Sequence, residues 1–193
     1  MDRVTIFDMY PAYFHFRVWD AKLDLGETYH EVNEQTLRQG FSSRLGRSLN
    51  FSTLGDCMGI TIEVWYADES EEVRLRDDTI RAILVPFSVS GSFKIDDCMG
   101  AMEVSLSTRP GNYALLFEVK LRNDQEYLNS SRYQENIEGG FTKEWCYLTF
   151  YPRSEPIQPE ILRLDAWSSP PYHLESYCPL KPNYPLLMEV GLA

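Results

Sequence analysis

No catalytic signature runs through this 193-residue sequence. A GxSxG elbow, a Walker loop and a GxGxxG turn are all missing, which argues against the motif-bearing hydrolases, P-loop NTPases and dinucleotide enzymes. Histidine is scarce: His15, His30 and His173 have no ligand spacing, and the HExxH pattern that starts at His30-Glu31 fails at Glu34. The four cysteines, Cys57, Cys98, Cys146 and Cys178, lie far apart without a CxxC pair, which argues against a zinc site. Their even number permits two disulfides. However, Met1-Asp2-Arg3-Val4 lacks the basic and then apolar pattern of a secretory leader, so the expected location is cytoplasmic and the expected thiols are reduced. No apolar run approaches the ~20 residues that span a bilayer. We therefore expect no catalytic residue, no metal, no cofactor and no membrane span.

What the chain does have is acid and aromatics. It carries 29 Asp and Glu against 18 Lys and Arg, a formal charge of −11, with 44% hydrophobic and 13% aromatic residues. Such a composition folds, and such a charge repels nucleic acid and anionic membrane while favouring a basic partner. The acid concentrates from Glu63 through Asp68, Glu69, Glu71 and Glu72 to Asp77 and Asp78, interrupted by Arg74 and Arg76. Trp65 and Tyr66 stand beside it, and aromatic anchors ringed by charge are typical of protein interfaces. Trp65, Tyr66, Asp68, Glu69, Glu71, Glu72, Asp77 and Asp78 are thus the candidate partner-binding residues. The bland alternatives are a solvated connection and rings that turn into the core.

Period-two alternation dominates the patterning. Strands are expected over Tyr10–Trp19, Ser48–Ser52, Gly59–Tyr66, Thr79–Val89, Ser92–Ile95, Ala101–Leu106, Tyr113–Leu121 and Trp145–Tyr151. Pro86 places its strand at an edge, a bulge or a break, because proline cannot donate to a ladder. Pro110-Gly111 suits the centre of a tight turn. One short helix is expected over Asn33–Gln39, capped by Asn33 and ended by Gly40. The expected core includes Phe14, Phe16, Ile62, Val64, Ile83, Val85, Tyr113, Leu115 and Phe117. The fold expected is a mainly β, antiparallel β-sandwich body over residues 1–151, with a polar insertion at 122–143. A Pro-rich C-terminal extension, 152–193, should pack on it. Asp56-Cys57-Met58-Gly59 and Asp97-Cys98-Met99-Gly100 echo one another, each before an apolar strand; nothing else repeats at that offset.

Several landmarks occur in order: Tyr13-Phe14-His15-Phe16, Asn33-Glu34-Gln35, Gln39-Gly40-Phe41, Leu49-Asn50-Phe51, Arg81-Ala82-Ile83-Leu84-Val85-Pro86-Phe87 and Pro110-Gly111-Asn112-Tyr113-Ala114-Leu115. Together they resemble the competence protein J family over roughly Met9 to Glu118, with looser similarity to Asp165. The named member of that family inhibits the DNA-entry nuclease of naturally transformable bacteria. The resemblance implies a non-enzymatic inhibitor or immunity-like partner of such a nuclease. The alternative is a small-molecule or carbohydrate-binding β-sandwich that uses Trp145, Tyr147 and Trp167.

Overall fold

Alternating side chains build two sheets with an apolar interface between them. The computed structural model describes residues 1–12, 15–24, 40–53, 59–121 and 141–163. These form β1 (Asp2–Met9), β2 (His15–Asp20), β3 (Phe41–Arg44), β4 (Ser48–Ser52), β5 (Gly59–Tyr66), β6 (Arg81–Val89), β7 (Ser92–Asp96), β8 (Glu103–Ser107), β9 (Gly111–Leu121), β10 (Phe141–Arg153) and β11 (Glu160–Arg163). One sheet has six strands in the order β1-β5-β10-β9-β6-β11, the other five in the order β3-β4-β2-β7-β8. Every pairing is antiparallel except β5 with β10, which is parallel. The protein is mainly β, and no helix occurs among the described residues. The helix expected over Asn33–Gln39 lies outside them.

Aromatic rings from both sheets meet in the core. Phe51 of the smaller sheet lies 4.5 Å from Phe117 of the larger, and Phe93 lies 4.8 Å from Phe150, measured between ring centroids. Of the expected core, Phe14 lies outside the described residues; Phe16, Ile62, Val64, Ile83, Val85, Tyr113, Leu115 and Phe117 are all buried. The apolar run in β6 serves two faces. Ile83 and Val85 enter the main core, while Ala82 and Leu84 enter a second apolar cluster on the outer face of the six-stranded sheet, with Ala114, Leu116 and Tyr151. That explains why the run shows no alternation. Pro86 sits beyond Leu84, the last residue of β6 that pairs at the β11 edge. Two residues on, the Ser88 amide donates away from the ladder to the Gly46 carbonyl (2.7 Å). Pro86 shares that edge, so its missing N–H costs the sheet nothing.

Several strands differ from expectation. β3 (Phe41–Arg44) falls where no strand was expected, and β10 runs from Phe141 to Arg153 instead of Trp145 to Tyr151, so it begins inside the segment expected as a polar insertion. β1 was not anticipated: it is a half-exposed edge strand, bulged between Arg3 and Thr5, and such a strand shows weak alternation. The strand expected from Tyr10 begins only at His15, after an isolated bridge between Ala12 and His15. Within the Pro-rich extension, β11 pairs with β6. The chain bends at Pro110, but Gly111 and Asn112, expected in a tight turn, already belong to β9 and pair with β6; the Tyr113 hydroxyl fastens the bend by donating to the Arg109 carbonyl (2.8 Å), the geometry of a tyrosine corner.

Candidate functional site

The acidic stretch is not a free loop. It leaves β5 at Ala67, whose amide donates to the Phe150 carbonyl (3.0 Å), and returns at Ile80, whose amide donates to Val119 (2.8 Å). Between these points it forms a strap across the outer face of the six-stranded sheet. Val73 and Leu75 pack onto the second apolar cluster. Arg76 does the pinning: its guanidinium pairs with the fully buried Glu118 carboxylate, and its amide donates to the same group (2.8 Å). Thr79 Oγ1 adds a further bond to Glu118 (2.7 Å). The guanidinium also lies 4.0 Å from the centroid of Tyr147 and 5.4 Å from that of Trp65, both cation–π distances.

This path divides the carboxylates into two groups. Asp68, Glu69 and Glu72 are exposed where β5 ends, and Asp77 and Asp78 are exposed where β6 begins. The strap's two attachment points are level with Leu115 and Val119 of β9. Four strand residues put them about 13 Å apart, farther than the ~8 Å over which physiological salt screens exposed charge. Glu71 is tied back: it pairs with the Met1 ammonium (3.2 Å) and accepts the Asp68 amide (2.7 Å). The Asp68 amide bond and then the ammonium hold its carboxyl below the usual range. Asp78 pairs with Lys120 (2.7 Å).

The two aromatics part company. Trp65 lies half-buried on the outer face, its Nε1 donating to Glu63 (3.0 Å). Tyr66 points the other way, with its ring 5.4 Å from Phe150 and 6.4 Å from Tyr113. Burial pushes its phenol up to about 12. Tyr66 thus packs against the main core while staying partly exposed, as Trp65 does on the outer face. Trp145 and Tyr147 stack along β10 at 6.2 Å, but Lys120 already lies over both rings and Arg76 over Tyr147. Those cations stand where a sugar would stack. Trp167 lies outside the described residues.

Among the other reactive side chains of the described residues, His15 and Ser52 touch at 3.3 Å because they face one another across β2 and β4. Cys98 and Cys146 are free thiols. Burial, and then Asp96, push the Cys98 thiol up to about 12, and burial also raises Cys146, so neither is a thiolate at neutral pH. Cys57 and Cys178 lie outside the described residues. Among the described residues no group of three His, Cys, Asp or Glu could hold a metal ion. Arg76, Glu118 and Lys120 were not singled out from the sequence; the alternation Val73-Arg74-Leu75-Arg76 was the available signal that this segment lies on a surface.

The profile of the family described as Competence protein J (ComJ) matches residues 13–151. The chain belongs to the competence protein J family. Among solved structures, it is similar to ComJ from Bacillus subtilis, described as an inhibitor of the DNA-degrading activity of NucA. The identity is 12%, the match covers 79% of this chain and 98% of that one, and the TM-score is 0.56. A second similar chain, described as Crocagin biosynthetic gene J, is 12% identical, with 79% of this chain and 99% of that one covered and a TM-score of 0.40. No curated protein sequence matches this chain. At such identities the likeness to ComJ is one of fold.

Proposed function

We propose that this protein is a non-enzymatic, acidic inhibitor of a DNA-degrading nuclease. The supporting observation is membership of the competence protein J family over residues 13–151. The physical logic fits: a nuclease site is basic and often metal-bearing so that it can hold phosphates. Carboxylates fixed on a rigid sandwich can occupy that surface and exclude DNA. The partner-binding surface in this reading comprises Asp68, Glu69, Glu71 and Glu72, the second group Asp77 and Asp78, and the half-exposed Trp65, with Tyr66 behind them. We also place the protein in the cytoplasm, where all four cysteines stay reduced. Alkylation of denatured, unreduced protein should label four sites.

The test is a titration of a DNA-degrading nuclease from the source organism with the purified protein. Inhibition should be stoichiometric, and association should slow as salt rises, because exposed charges are screened. Changing Glu69, Glu71 and Glu72 to Gln, and Asp77 and Asp78 to Asn, should lower the association rate with little effect on melting temperature. An unaltered association rate and salt dependence would remove these carboxylates from the interface. Absence of inhibition by the wild type would refute the function.

A further inference from the structure

A leucine occupies the tip of the β3–β4 hairpin. The Arg47 amide closes the turn on the Arg44 carbonyl (3.1 Å), and its two central residues, Leu45 and Gly46, both have left-handed backbones, with φ of +55° and +62°. Gly, Asn or Asp normally fills such positions, because a bulky side chain at positive φ crowds its own backbone. Leu45 gains no packing in compensation. It is 75% exposed, the most open large apolar side chain among the described residues.

The tip is firmly braced. Gly46 accepts the Ser88 amide (2.7 Å), tying it to β6. Arg47 grips Asp20 through Nε and Nη2 (3.0 and 2.6 Å), and the same carboxylate takes the Ser90 hydroxyl and amide (2.6 and 3.1 Å). A strained apolar group held rigid and open is what a preformed contact requires, since little order is lost when it docks. The neighbourhood points to one face. Ser88 is level with Asn112, which is level with Arg153 at the end of β10. The first acidic group, from Asp68 to Glu72, begins at this same end of the sandwich. From β5 to β6 is three strand steps, or about 14 Å sideways, within the roughly 28 Å breadth of the ~800 Å² that each partner gives to a standard interface.

We propose that this end of the sandwich is the face that docks on the nuclease. Leu45 is its apolar anchor, seated in a crevice of the partner, and Asp68, Glu69 and Glu72 lie against basic surface beside that crevice. The inference rests on the inhibitor reading above. The test compares wild type with Leu45→Asn and Leu45→Gly, both at ease at positive φ, in melting and in nuclease inhibition. Both variants should melt at or above the wild-type temperature. Both should bind at least tenfold more weakly through faster dissociation, with the salt dependence of association unchanged. Equal inhibition by all three proteins removes Leu45 as the anchor and leaves the inhibitor reading standing. A fall in melting temperature for both variants makes Leu45 a folding residue and also overturns the inference. A wild type that does not inhibit overturns the inhibitor reading and this inference with it.

Discussion

Replacing Arg76 with Ala tests whether the strap is structural. Breaking a fully buried ion pair by removing one partner costs about 3–5 kcal/mol. Here the loss is smaller, because the Arg76 side chain is 23% exposed and Glu118 keeps the Arg76 amide and the Thr79 hydroxyl as donors. Those considerations bring the ion-pair loss to about 2 kcal/mol. Loss of the cation–π contact with Tyr147 adds about 0.5–1 kcal/mol. The expected total is therefore about 2–3 kcal/mol, or about 5–10 °C in melting temperature for a chain of this size. Urea and thermal unfolding measure it, with Arg74→Ala as control: Arg74 is exposed on the same strap and should stay within about 0.5 kcal/mol of wild type. Arg76→Ala combined with Glu118→Leu should recover much of the loss, because no carboxylate is then left buried. If Arg76→Ala unfolds together with Arg74→Ala and wild type, the segment is a solvated connection and the pinning described above is wrong.

Tyr66→Ala should cost about 3 kcal/mol or more in unfolding free energy, as expected for a large ring removed from a core. Trp65→Ala, on the outer face, should cost less and show its main effect as faster release of the nuclease; equal stability losses would assign Trp65 to the core as well. Gly40 has φ +76°, and a Cβ there would lie 3.3 Å from Ile83 Cδ1, whereas Gly46 at φ +62° has nothing within 4 Å. Gly40→Ala should therefore destabilise more than the ~1 kcal/mol expected for Gly46→Ala, as read by chemical denaturation. Burial pushes the Asp20 carboxyl up, but bonds from Ser90, the Lys22 amide and Arg47 outweigh it and hold the group below the usual range. Its stabilisation is thus present above the unfolded value near 3.9 and is lost as pH falls through the depressed folded value. Asp20→Asn should lower the melting temperature at pH 7, and the difference should shrink below about pH 4; a difference independent of pH would show that the charge is not what matters.

Most strands that bury one face against the core were legible from alternation or from a continuous apolar run; β3, only four residues long, was too short to show a period. β4 and β5 have the bounds their sequence implies, and Pro110-Gly111 marks the start of β9. β1 was hidden because an edge strand with a bulge and three exposed residues at its start presents no clear period. The β5–β10 pairing was hidden for another reason: parallel neighbours are joined by no local turn, so nothing near either strand announces the other. At the candidate site, the sequence located the carboxylates but not their division. Val73, Leu75 and Arg76 carry the segment along the sheet, and only the three-dimensional partners Glu118 and Tyr147 show that it is fastened there. The opposite orientations of Trp65 and Tyr66 follow from ordinary strand alternation in β5, which the neighbouring charges obscured.

The parallel pairing also sets a timetable for biosynthesis. All five strands of the smaller sheet lie between His15 and Ser107, so that sheet can assemble from an incomplete chain. The larger sheet cannot. Its second strand, β5, must wait for β10 before it gains its inner neighbour, and β10 ends only at Arg153. Contacts that close such long loops form late and slow folding. Until then the apolar inner face of the emerging smaller sheet has no complete partner, an opening for aggregation or chaperone capture. The strap, anchored on β9 and β10 side chains, is fixed in place only at the same late step. A nascent chain therefore acquires its fastened array of carboxylates only when translation has passed β10, and truncations upstream of it should lack that array.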